Sequence, residues 1–170
     1  MLRLFPLLIL VAQCTTGYAS PDWAVHRFEE ARFSVMLPEA PRTSKQNVRA
    51  ESADTTNSVF TLRTKAGTFL VSYTDSETFD DNRSLIDTLL DATCRGAVEG
   101  ANGRLISIRP ITRNGFLGRA LAFEGRDGKM ARGLVVLAGT RLFQVYALGT
   151  PDWIAGKDVD RFLNSFRTWR

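Results

Sequence analysis

Residues 103–150 constrain the fold more than any other stretch. Four apolar runs are divided by three tight-turn pairs, Asn114-Gly115, Asp127-Gly128 and Gly139-Thr140. Asn-Gly and Asp-Gly are favoured in two-residue hairpin loops, because both central positions need positive φ. The spacing therefore predicts a four-stranded antiparallel meander. A tight turn also fixes register, so cross-strand neighbours can be written down. A loop at Asn114-Gly115 pairs Ile108 with Leu121 and Ile106 with Phe123. One at Asp127-Gly128 pairs Phe123 with Arg132 and Leu121 with Leu134. One at Gly139-Thr140 pairs Leu134 with Val145 and Val136 with Phe143. One face then gathers Ile108, Leu121, Phe123, Leu134, Val136, Phe143 and Val145. The other gathers Leu105, Ile111, Val135, Leu137, Leu142, Tyr146 and Leu148.

A sheet apolar on both faces needs cover on both. Over residues 83–98, Leu85, Ile86, Leu89, Leu90, Cys94 and Ala97 fall at helical spacing. After Gly156, Val159, Phe162, Leu163 and Phe166 do the same. Asp158 is placed as its N-cap or first-turn acid. The expected class is α+β: an antiparallel meander with helices on both faces, an α/β/α sandwich. Upstream, Phe33, Val35 and Leu37 alternate until Pro38 and Pro41 stop the strand. Val59–Leu62 and Phe69–Tyr73 read as two strands around Ala66-Gly67, and residues 43–52 as an edge strand or loop. Trp23, His26 and Phe28 open the domain as a short helix or arm.

The N-terminus carries Arg3 and then an apolar run over residues 4–12. That run has the shape of a secretory signal and is shorter than the about 20 residues a membrane span needs. Two processing routes compete. Val11-Ala12-Gln13-Cys14 resembles a lipoprotein box but sets bulky Gln13 before the cysteine. Gly17-Tyr18-Ala19 supplies small residues for cleavage after Ala19, and this route is favoured. The expected organisation is a signal peptide at 1–19 and one domain at 20–170, periplasmic or extracellular, with lipid anchoring at Cys14 as the competing outcome and no transmembrane span in the mature chain. Losing Arg3 lowers the net charge from +4 to +3. The basic residues are scattered, which does not point to nucleic acid. Without Cys14, Cys94 has no disulfide partner; its place on the helical stripe marks it as a small buried hydrophobe.

"ARFSVMLPEAPR", "GFLGRALAFEG", "ARGLVVLAGTRLFQVYALG" and "DVDRFLNSF" together resemble exported bacterial proteins of the PsbP-like and Mog-like α/β/α sandwich group, over about residues 28–168. The resemblance implies a non-enzymatic role, since members of known function are photosystem extrinsic subunits or partners of a small GTPase. No partner-binding or ion-binding residue carries over position by position.

Candidate chemistry is sparse. His26 is the single histidine, with no nucleophile-elbow motif to accompany it. Asp75, Glu77, Asp80 and Asp81 cluster oxygens that suit calcium, although acids ahead of a helix also stabilise its N-terminus; Asp81 or Ser84 is the expected cap. Arg119 and Arg132 fall near the ends of the first apolar face and are candidates to clamp an anionic ligand; Gly118 and Gly133 fall on the second face, where small residues let a helix lie close or leave a shallow groove. The bland alternative for the two arginines is to pair with carboxylates. Thr150-Pro151 starts a helix whose Trp153 closes the core. The reading is an exported, non-enzymatic binding or interaction module needing no cofactor, whose partner is an unknown protein or small ligand of the cell envelope. The alternative is a small-ligand carrier using a groove between sheet and helix.

Overall fold

The computed structural model describes residues 22–50, 53–75 and 82–170. The leader, Cys14 and its competing cut site lie outside them, as do Glu77, Asp80 and Asp81. The elements run β1 (Ala24–Phe28), β2 (Phe33–Leu37), β3 (Arg42–Ala50), β4 (Ala53–Arg63), β5 (Gly67–Asp75), α1 (Arg83–Gly100), β6 (Arg104–Arg113), β7 (Phe116–Glu124), β8 (Met130–Ala138), β9 (Arg141–Gly149), α2 (Pro151–Ile154), α3 (Lys157–Ser165) and β10 (Arg167–Thr168). A seven-stranded antiparallel sheet has the order β3-β4-β5-β9-β8-β7-β6, and a small sheet has the order β1-β2-β10. The N-terminal arm is thus a strand rather than a helix.

The meander β6–β9 is present, and its turns decide its register. Asn114 and Gly115 take φ of 52° and 83°, the pair of positive values a type I′ turn demands, and Ile108 faces Leu121. A bulge between Leu105 and Ser107 displaces Ile106, so Leu105 faces Phe123 in its place. At Gly139-Thr140 the expected pairs hold, Leu134 with Val145 and Val136 with Phe143. The Asp127-Gly128 turn departs from expectation. β7 and β8 close at Glu124 and Met130, leaving residues 125–129 as a wider loop tied by Gly125 N–H to Lys129 O (2.8 Å) and Gly128 N–H to Gly125 O (3.0 Å). The Asp127 carboxylate accepts from Lys129 N–H at 3.1 Å, and Gly128 alone of the pair has positive φ. Pairing slips by one residue, so Leu121 meets Gly133 and Phe123 meets Ala131. A one-residue slip inverts faces. Leu121 and Phe123 therefore join Val135, Leu137, Leu142 and Tyr146, while Leu134 and Val136 join Phe143 and Val145 on the other side.

The α/β/α expectation is corrected here. The structure is β-rich, with 53% strand against 23% helix. On one face, Phe60, Phe69, Val71, Val136, Phe143 and Val145 are covered jointly by strand β2 (Phe33, Val35, Leu37) and the short α2 and α3 (Ile154, Val159, Phe162), with Phe166 beyond them. On the other face, α1 sets Leu90, Cys94 and Val98 against the β7–β9 side chains. Helices do not form both outer layers. The β2 strand, read as a simple sheet member, supplies half of one layer, and α1 covers half of the other face. Among the described residues no helix is long and apolar enough to cross a membrane.

Candidate functional site

The sheet face under α1 changes character from one side to the other. The pairings place Arg63, Thr68, Leu148, Ala131 and Phe123 in one row across β4-β5-β9-β8-β7, and Arg42, Thr61, Leu70, Tyr146, Gly133 and Leu121 in the next, from β3 to β7. Side chains alternate along a strand and line up across it, so each row shares a face. The β7–β9 part is apolar and buried under α1. The β3–β5 part carries arginine and threonine, and Arg42, Arg63 and Lys65 are exposed. A covering helix gains little by burying such residues without partners.

The result is a broad groove of about 1540 Å³ at the end of the sheet where β4 turns into β5. Its walls include Arg42 and Ser44 of β3, the β4–β5 turn from Arg63 to Gly67, Ala101 after α1, and the 125–129 loop. The turn is rigid: Thr64 Oγ1 accepts from Ala66 N–H (3.2 Å) and Gly67 N–H (3.1 Å) and donates to Gly67 O (2.9 Å). The loop is anchored to the helix end by Arg126 N–H donating to Ala101 O (3.4 Å). Asp127 and Lys129 neutralise each other at 2.6 Å. Among the described residues, the side chains of Arg42, Arg63, Lys65 and Arg126 enter no ion pair or ring contact. Four uncompensated cations thus rim the groove, with Glu39 the other acid on its wall.

The arginines singled out from the sequence are elsewhere engaged. Arg119 lies opposite Val135 on the α1 face; its Nε donates to Asp91 (2.6 Å) and its Nη2 to Asp87 (2.9 Å), locking β7 to α1. Both carboxylates raise its pKa, the Asp91 hydrogen bond most. Arg132 lies on the opposite face, donating to Ile154 O (2.9 Å) and Asp160 (2.8 Å). Gly118 and Gly133 also face opposite ways. A Cβ on Gly118 would meet Val136, and one on Gly133 would strike the Tyr146 ring at 2.1 Å. The four residues form no common surface.

Asp75 grips Arg141 with both oxygens (2.6 and 2.7 Å), and that arginine also lies over the Tyr73 ring. Among the described residues no group of three acids, histidines or cysteines is placed to hold a metal. Asn82 caps α1, its Oδ1 accepting from Ser84 N–H at 2.9 Å. His26 Nε2 is buried without a hydrogen-bond partner among the described residues. Cys94 is buried, and burial first, then Asp91, pushes its thiol up to about 11. The groove cations are hidden from sequence reading, because no hairpin dipeptide pins the register of β3–β5 as Asn114-Gly115 pins that of β6 and β7. The usable signal is Arg63-Thr64-Lys65 beside the Ala66-Gly67 turn, two cations flanking a hydroxyl that ties the turn.

The solution structure of cyanobacterial PsbP (CyanoP) from Synechocystis sp. PCC 6803 aligns over 94% of this chain and 99% of that one, with a TM-score of 0.60 and 14% identity. The fold is PsbP-like. At that identity the likeness is one of fold alone. A Pseudomonas aeruginosa protein of unknown function aligns over 78% of this chain and 86% of its own, at 18% identity and a TM-score of 0.43. No protein-family model matches the chain, and no curated protein matches it. Within the PsbP-like fold, the basic groove is described by this chain's own residues.

Proposed function

We propose that this chain is a non-enzymatic binding module of the cell envelope, exported by its N-terminal segment, and that it engages its partner through the groove beside α1. The observation that carries this reading is the uncompensated charge. Arg119, Arg132 and Arg141 are committed to carboxylates and carbonyls, whereas among the described residues Arg42, Arg63, Lys65 and Arg126 converge on one concavity unpaired. At about 1540 Å³ the groove exceeds the roughly 300–1,000 Å³ of ordinary small-molecule pockets, which favours a macromolecular partner over a carried ligand. The interface between α1 and the sheet is filled by Leu90, Cys94 and Val98, so a carrier site between helix and sheet gains no support. The test is photo-crosslinking from position 44 or 66, exposed groove positions, in envelope extract. A discrete crosslinked species, lost when the groove cations are replaced, is expected; no species from either position removes the reading. Intact mass of the secreted chain checks export, with Ser20 as the expected first residue.

A further inference from the structure

The dimensions and lining of the groove say what kind of partner it fits. This inference rests on the binding-module reading above. Arg42 belongs to β3, the edge of the large sheet, and Arg126 follows the end of β7. The order β3-β4-β5-β9-β8-β7 puts five strand-to-strand steps between them. At about 4.8 Å per step the cations spread over roughly 24 Å. A lone phosphate or carboxylate cannot meet both ends. An extended polypeptide at about 3.3 Å per residue bridges them with about seven residues. Between the cations the lining is hydroxyl-bearing (Ser44, Thr61, Thr64, Thr68), with Leu70 and Leu148 half-buried beneath. Among the described residues it holds no exposed aromatic side chain on which bases could stack, the usual device for single-stranded nucleic acid.

We propose that the groove binds an acidic, extended polypeptide segment lying across the strands, its carboxylates on Arg42, Arg63, Lys65 and Arg126. Arginine suits this task, since its planar fork takes a carboxylate through two parallel hydrogen bonds. Charge pairing at such an exposed rim governs arrival rate and salt sensitivity more than final affinity. Binding is therefore expected to weaken steeply as salt is raised.

The probe is a fluorescein-labelled peptide of about ten alternating glutamates and threonines, long enough to cover the cations, followed by anisotropy against the full chain. A lysine-threonine peptide of equal length, oligothymidylate and phosphatidylglycerol vesicles are the comparison arms. The expected result is saturable binding of the acidic peptide at low salt and none of the lysine peptide. Combined Arg42→Ala, Arg63→Ala, Lys65→Ala and Arg126→Ala should weaken it by about tenfold or more, with an unchanged melting temperature. Arg83→Ala with Arg95→Ala, exposed cations of α1 outside the groove, should leave it within about twofold. Equal binding by the fourfold variant, absence of binding, or tighter binding of oligothymidylate or vesicles than of the peptide overturns the proposal. A species crosslinked from the groove in envelope extract, together with no binding of the acidic peptide, would sink this inference alone and leave the binding-module reading standing.

Discussion

At the residue scale, burial and pairing make distinct, separable predictions. Arg119 reaches two carboxylates of one helix from a side chain only 10% exposed, while Asp87 and Asp91 remain 43% and 38% exposed. Water screens those acids, so Arg119→Ala should cost about 1–2 kcal/mol in a urea titration. Arg119→Lys should restore less than half, because one ammonium cannot fork between two acids. Cys94 tests burial directly. Its thiol should resist an aromatic disulfide reagent in the native state and react on unfolding. With its folded pKa raised from 9.0 to about 11, the unfolded chain gives up the proton first. The thiol therefore leaves stability unchanged below about pH 9 and erodes it progressively toward pH 11; Cys94→Ala should flatten that part of the curve. Trp153 lies across Gly67 and Gly149, where an added Cβ would come within 2.4 and 2.5 Å of its ring. Gly67→Ala must displace the indole, at an expected cost of about 1–3 kcal/mol with a red shift in tryptophan emission.

At the element scale, the turns show where sequence reading succeeds and where it stops. Asn114 holds φ of 52° and its side-chain oxygen accepts from Thr168 N–H at 3.3 Å. Asn114→Ala should cost about 1–2 kcal/mol from left-handed strain and the lost acceptor, and Asn114→Gly less, measured by thermal unfolding. That hairpin and the Gly139 hairpin are legible because residue type dictates their backbone. The Asp127-Gly128 turn is not, because the same dipeptide also serves a wider loop in which Asp127 bonds the chain two residues on. That choice moves Leu121 and Phe123 to the opposite face from the one expected. Helix α1 is legible from its stripe, and Leu90→Ala should cost about 2–5 kcal/mol. Its cap is not, since Asn82 takes the place expected of Asp81 or Ser84.

At the scale of the whole molecule, the two core clusters share β8 and β9, whose alternate side chains serve opposite layers. Trp23 and Trp153 report on one layer and α1 on the other. Tryptophan fluorescence and far-ultraviolet circular dichroism should therefore trace one coincident denaturant transition, with separated midpoints showing that the layers melt independently. The layered plan is legible in outline, because a sheet greasy on both sides must be covered twice. What covers it is not. Alternation in Phe33, Val35 and Leu37 reveals a strand but not which sheet it joins, and the groove arises from long-range pairing that no local pattern encodes. The half-covered face has a consequence for how such a chain can diverge. Positions 61, 63 and 68 hold no layer in place, whereas their row-mates in β7–β9 do. Substitution there can change the charge and shape of the groove while the framework stays fixed, and a library randomised at those sites should remain largely folded.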